Sequence, residues 1–185
     1  MTTGAHGILP IHEARRRTVT DRRLLAAKVE NLAEDELVAP YRVRGGPLGD
    51  FCDSLRDLVA HVMMWDEISL AVLTEARFGR VHWSLDERWE TPSSGQALNL
   101  AGVMAGRELP VELLLHRFEA VCDALNDELS RYDEEQWTAP FPLDHPKATS
   151  TGAFAQYVLS IPDQSPYWHA AIHLGELAVM SEKES

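Results

Sequence analysis

SLRDLVAHVMMWDEISLAVLTEARFG, residues 54 to 79, sets the fold class. Leu55, Leu58, Val59, Val62, Trp65, Ile68 and Val72 recur at steps of three and four. That is the period of one helix face and not of a strand. Ser54 with Asp57 reads as an N-terminal capping pair, with Asp in place of the longer Glu. Gly79 suits the left-handed residue that ends a helix near Phe78. Inside the apolar stripe, between Leu58 and Trp65, sits His61. An inward imidazole needs partners for its ring nitrogens.

The same periodicity continues on both sides. Leu25, Val29 and Leu32 predict a helix from about Thr20 to Leu32, with Asp21 early enough to suit the helix dipole. Residues 1–17 read as a loose lead-in with at most a short helix. Ala39 to Asp50 holds Pro40, Gly45, Gly46, Pro47 and Gly49 and reads as a loop. After Pro110, a good first-turn residue, Val111, Leu114, Leu115, Phe118, Val121, Cys122, Leu125 and Leu129 form the clearest amphipathic stripe in the chain. A last helix is expected from the Ser165–Pro166 cap to about Met180, followed by a frayed polar tail, Ser181 to Ser185. Residues 80–107 are ambiguous, with a short helix-compatible run from Gln96 to Met104. Trp137 to Asp163, with Pro140, Pro142, Pro146, Gly152 and Pro162, reads as a second long loop. No internal repeat and no second domain stand out. The expectation is one all-α domain over 1–185, core about 20–180, built as a four-helix bundle with long connections.

Composition narrows the function. The chain has 185 residues and a net charge of −12, against a nucleic-acid partner, which needs a basic footprint. The one basic cluster, Arg15, Arg16, Arg17, Arg22 and Arg23, reads as a solvated helix face. No apolar run is long enough to span a membrane. The first ten residues lack a signal-peptide core, so a cytoplasmic protein is expected. Cys52 and Cys122 form no metal-binding or disulfide pattern, and Cys122 falls on an apolar stripe. No GxSxG, glycine-rich phosphate loop or HExxH motif is present, and Asp53, Asp57 and Asp66 make no recognisable catalytic pair.

His169 and His173 lie four apart on the last expected helix, one turn apart on one face. Two imidazoles at that spacing suit one metal ion. His61 on its own fits a core histidine satisfied by a hydrogen bond. Taken with the other two, it completes three nitrogen ligands contributed by facing helices, with a position left for water or substrate. Glu176, three residues after His173, fits either a third ligand in a two-His, one-carboxylate set or a group that orients an imidazole; the second role is preferred. Trp65 and Trp168, beside these histidines, read as walls of a ligand pocket or as core. His116 is off its helix's stripe and reads as solvated. His82 and His145 fall in loops, His6 and His12 in the N-terminal stretch.

Two passages in this order, with the amphipathic helix between them, resemble the DinB/YfiT-like superfamily, which includes the N-terminal domain of mycothiol-dependent maleylpyruvate isomerase. Ser54-Leu55-Arg56-Asp57-Leu58-Val59-Ala60-His61 is similar to the family's (S/T)-x-x-D-L-x-x-H passage. His169-Ala170-Ala171-Ile172-His173-Leu174-Gly175-Glu176 is similar to its H-x-x-x-H-x-G-Q passage, with Glu176 in place of the commoner Gln. The resemblance implies a four-helix bundle and a divalent ion, zinc or nickel above all, on His61, His169 and His173. It implies a low-molecular-weight thiol such as mycothiol, and a homodimer. The isomerase's extra C-terminal domain is not expected here. The expected activity is a thiol-dependent transfer or isomerisation on an electrophilic small molecule. The alternatives are a self-resistance protein that sequesters a reactive metabolite, and a metal-assisted hydrolase of one.

Overall fold

The computed structural model describes residues 7–43, 51–86, 88, 89, 91–141 and 149–179. His6, Gly45, Gly46, Pro47, Gly49, Pro142, His145, Pro146 and the tail from Ser181 lie outside them. The described elements are α1 (Ile11–Val29), α2 (Glu34–Val38), β1 (Tyr41–Val43), α3 (Leu55–Arg77), a 3₁₀ turn (Trp83–Leu85), α4 (Pro92–Arg107), α5 (Val111–Leu129), α6 (Glu134–Thr138), α7 (Thr151–Val158), α8 (His169–Glu176) and β2 (Leu177–Val179). The architecture is all-α with one short ribbon. In it β1 and β2 pair antiparallel, Tyr41 opposite Val179 and Val43 opposite Leu177.

The two stripes that predict helices most clearly form the centre. On α3, Leu55, Leu58, Val59, Val62 and Val72 are buried, and on α5 Val111, Leu114, Phe118, Leu125 and Leu129 are. The Ser54 side chain caps α3 by accepting from the Asp57 N–H at 3.2 Å, while Asp57 accepts from the Asp53 N–H at 2.9 Å. At the other end Gly79 takes φ +67°. Its N–H donates to Ala76 and that of Arg80 to Glu75, both at 2.9 Å, the paired closure that a left-handed glycine permits.

Several expected boundaries are corrected. The lead-in is already helix: α1 starts at Ile11, where Pro10 fixes the entry, and Glu13 pairs with Arg16 and Arg17 at 2.7 Å across the first turns. The first expected loop contains β1. The ambiguous 80–107 stretch contains the full helix α4, capped by Thr91 and opened by Pro92. The second expected loop contains α7, capped by Ser150. The last helix is shorter than expected at both ends: Ser165–Pro166 does not cap it, it begins at His169, and the chain turns into β2 after Glu176. Thus α7, packed on α3 and α6, and α8, packed on α1 and α3, together supply the fourth wall of the bundle.

The structure also reveals a repeat that the sequence does not announce. Pro10 precedes α1 and Pro110 precedes α5, and the helices end at Val29 and Leu129. A short helix follows each, in which Glu36 reaches back to the Ala33 N–H and Gln136 to the Asp133 N–H. Then come Ala39-Pro40-Tyr41 and Ala139-Pro140-Phe141, and a serine cap, Ser54 or Ser150, opens the next helix. The halves diverge there: α3 runs 23 residues and α7 only 8.

Helix α4 lies close on α3 through glycines. A Cβ on Gly106 would overlap that of Ala60, and one on Gly102 would sit 2.9 Å from Met64 Cγ. Gly95 has nothing within 4 Å of that position. Gly95→Ala is therefore expected to stabilise the protein by up to about 1 kcal/mol through helix propensity. Gly106→Ala is expected to destabilise it by about 1–3 kcal/mol through overpacking. Urea unfolding of both variants checks this; equal shifts would mean that α4 is not seated on α3 in this way.

Candidate metal centre

Helix α3 delivers His61 and helix α8 delivers His169 and His173. The three side chains meet although 108 residues separate the first two. They are 3%, 7% and 5% exposed. His61 Nε2 lies 3.1 Å from His169 Nε2. The ring centroids stand 5.0 Å (61–169), 5.1 Å (61–173) and 4.9 Å (169–173) apart. One nitrogen from each ring falls within 4.8 Å of the others. Ligands at Zn–N distances in a tetrahedron stand about 3.3 Å apart, so the set fits a divalent ion after small adjustments.

The outer nitrogens differ. His173 Nδ1 meets Glu176 Oε2 at 2.7 Å. A carboxylate accepting there fixes the proton on Nδ1 and leaves the Nε2 lone pair free. His61 Nδ1 is buried without a hydrogen-bond partner among the described residues, and Phe51 covers its ring at 5.1 Å. The plain alternative for His61, a core histidine satisfied by ordinary hydrogen bonds, does not match that atom.

Burial sets the protonation of the cluster. Burial first, then repulsion from His173 and Arg22, pushes the His61 pKa down to about 3. Burial and the neighbouring His61 and Arg22 hold His169 well below the ordinary value. Burial lowers His173 too, although Glu176 opposes it. All three rings are neutral at pH 7, the form that ligates metal.

The first turn of α8 has no cap of its own: Tyr167 enters it with φ +63°, and Trp168 stands where a capping side chain belongs. Asp21 from α1 does that work. Its Oδ2 accepts from the Ala170 N–H and its Oδ1 from the Ala171 N–H, both at 2.8 Å. Arg22 Nη1 donates to Asp21 as well, while Arg22 Nε and Nη2 grip Asp66 of α3 at 2.6 Å each. All three side chains are buried. This corrects two expectations. Asp21 does not serve its own helix's dipole, and Arg22 leaves the solvated basic face, whereas Arg15, Arg16 and Arg23 stay exposed. The signal in the sequence was positional: Asp21 and Arg22 share an inward stripe with Ala14, Thr18, Leu25 and Val29.

The remaining candidates lie apart from the triad's contacts. Trp65 Nε1 donates to Asn99 Oδ1 of α4 at 2.7 Å. Trp168 is half-buried beside His169. His82 contacts Ser84 and the exposed Trp83, and His116 and His12 are exposed. Asp53 and Asp57 pair with Arg107 at 2.9 and 2.6 Å. Two clefts, of about 310 Å³ by Asp53, Arg56 and Arg107 and about 300 Å³ by Leu9 and Trp137, contain none of the three histidines.

The buried neutral rings imply a pH dependence. Each is easier to protonate in the unfolded chain, near 6.5, than in the fold. The unfolded chain therefore binds more protons as pH falls below that value. Metal-stripped protein is expected to keep full stability above about pH 6.5 and to lose at most about 1.4 kcal/mol per pH unit per histidine below it. Urea unfolding between pH 7.5 and 5 checks this, and His61→Phe should flatten the slope. A wild-type slope in that variant would contradict the buried neutral assignment.

Residues 22–159 match the family described as the mycothiol maleylpyruvate isomerase N-terminal domain. That span includes His61 and ends before α8, so the pairing with His169 and His173 comes from the fold. No curated protein matches. Among solved structures, the chain is similar to the colibactin self-resistance protein ClbS, crystallised with dsDNA: 18% identity, 90% of this chain and 94% of that one covered, TM-score 0.66. It is also similar to an uncharacterised protein from Escherichia coli UTI89: 14% identity, 89% and 88% covered, TM-score 0.65. At those identities the likeness shows a shared fold. The chain belongs to the mycothiol maleylpyruvate isomerase N-terminal domain family, within the DinB/YfiT-like superfamily.

Proposed function

We propose that the protein is a divalent-metal-dependent enzyme that adds a low-molecular-weight thiol, of the mycothiol type, to an electrophilic small molecule. The observation that carries this reading is the convergence of three buried, neutral imidazoles within 4.8 Å. A zinc or nickel ion held by His61, His169 and His173 supplies Lewis acidity that makes a thiol or water nucleophilic at neutral pH. The chain's own part is to orient and to exclude water. Glu176 holds the His173 proton on Nδ1, and Phe51 covers His61. Trp168, adjacent to His169 in sequence, and Trp65, one helical turn from His61, are assigned to the walls of the substrate pocket.

A second reading, sequestration of a reactive metabolite without turnover, draws on the deep burial of the triad and on the fold shared with a self-resistance protein. Nucleic acid is left out of both readings on the net charge of −12 alone; the similar ClbS was crystallised with dsDNA.

Purified protein is expected to carry about one equivalent of divalent metal by elemental analysis, lost in His61→Ala and His169→Ala. Glu176→Ala should weaken metal affinity about 10–100-fold, with partial rescue by Glu176→Gln, which keeps an acceptor. Consumption of mycothiol with a chloro-nitroaromatic electrophile reads transfer, and loss of maleylpyruvate with the thiol regenerated reads isomerisation. Bound metal with neither would favour sequestration. Metal-free protein with unchanged His variants would leave the triad incidental and sink both readings.

A further inference from the structure

We propose that Asp21 is the positioning residue of the histidine triad: anchored through Arg22 to Asp66 on α3, its carboxylate holds the first turn of α8 and so sets His169 against His61. For one of its two readouts the proposal rests on the metal reading above.

Three observations carry it. The first is connectivity. His61 and Asp66 stand on α3, Asp21 and Arg22 on α1, and His169 immediately precedes Ala170, whose N–H is bound by Asp21 at 2.8 Å. The route from one side of the triad to the other is therefore a chain of charge-assisted bonds, Asp66–Arg22–Asp21–Ala170, whose geometry is more directional than apolar packing.

The second is the repeat. The inward stripe of α1 (Ala14, Thr18, Asp21, Arg22, Leu25, Val29) corresponds position by position to Leu114, Phe118, Val121, Cys122, Leu125 and Leu129 of α5. In α5 the counterparts of Asp21 and Arg22 are apolar. Val121 and Cys122 are half-buried where Asp21 and Arg22 are buried, and burying ions is costly unless they are fully paired. The charged pair appears in the half that faces α8.

The third is the weakness of α8. It has eight residues, a left-handed Tyr167 before it and no capping side chain on its own chain segment. Its second and third N–H groups, which a side chain at Trp168 would ordinarily bind, both go to Asp21. Removing that carboxylate frees the turn that carries His169 while leaving the helix joined to β2.

The test compares Asp21→Asn and Asp66→Asn with Val72→Ala, a core truncation on α3 in a separate apolar cluster. One readout is cobalt(II) binding, by affinity and by the visible absorption band. The other needs no metal: carbethoxylation of His169 and amide exchange at Ala170 and Ala171. Asp21→Asn is expected to weaken cobalt about 10–100-fold, to shift the band, and to speed His169 modification about tenfold or more as the turn opens. Asp66→Asn, which leaves both amide bonds to Asp21 in place, should do the same to a smaller degree, about 2–10-fold. Val72→Ala should lower the melting temperature and leave the band and His169 protection unchanged. A folded Asp21→Asn protein with the wild-type band and wild-type His169 protection overturns the proposal. So does Val72→Ala reproducing its effects. Should Asp21→Asn fail to fold, Asp66→Asn decides on the same readouts. Should wild type bind no cobalt, the metal reading falls, and His169 protection alone judges Asp21.

Discussion

The buried carboxylate of Asp21 is the interaction on which the rest of the site depends. Two of the three imidazoles ride on α8, and α8 is short. Isolated helices below about 12–15 residues are marginal in water, and this one has eight. Its apolar burial is small, with Ala170 the buried aliphatic residue among its eight. What holds it is directional: Asp21 at its N-terminus and the β1–β2 ribbon at its C-terminal end. The ion pairs behind Asp21 extend this to α3. Arg22 spans the gap with its guanidinium fork, one arm on Asp21 and two on Asp66. A lysine has no such fork. Charges this deep stabilise little in themselves. Their effect is to fix one relative placement of α1, α3 and α8.

The two halves of the chain show how an ordinary helical plan becomes a site. Each half runs from a proline-started helix of 19 residues through a short capped helix to a serine-capped helix. In the first half that helix continues for 23 residues and carries His61 in its second turn. In the second half it stops at Val158, and the chain passes through Asp163 and Tyr167, both at φ +63°, before α8 begins. Left-handed backbone at a residue as bulky as tyrosine costs of order 1–3 kcal/mol. Burial of the Tyr167 ring in the second core cluster opposes that cost, while its hydroxyl is buried without a hydrogen-bond partner among the described residues. The break redirects the chain so that α8 meets α1 and α3 rather than continuing along α7.

Legibility followed the same division. The stripes of α3 and α5 are legible because long apolar faces dominate their sequence, and Ser54 and Gly79 mark their ends by local chemistry. His61, His169 and His173 are legible as a set because spacing places two of them on one face and a stripe turns the third inward. The elements missed are those whose stability comes from elsewhere. Helix α7 lies among prolines and follows a serine cap without a long stripe. Helix α4 carries one charged residue, Arg107, and three glycines, and Gly102 and Gly106 make sense only against Met64 and Ala60. Asp21 and Arg22 look like surface residues until their position on the buried face of α1 is set beside α8. The repeat was hidden because it is carried by cap positions and helix lengths, with few shared side chains.

The chemistry of the donors bears on whether the triad is incidental. Three neutral imidazoles facing one centre cannot satisfy one another. A single N–H···N bond between His61 and His169, at 3.1 Å, would place a proton on one Nε2 and leave His173 Nε2 outside that pair. His61 Nδ1 is buried without a partner among the described residues whether or not an ion sits on Nε2; a buried polar atom in that state costs about 1–3 kcal/mol. A phenylalanine or leucine at position 61 would carry no such cost, as the surrounding Leu58, Val62 and Phe51 show. A divalent ion at that centre would accept a lone pair from all three inner nitrogens at once. Its binding energy would then also be folding energy for α8, whose own eight residues supply little.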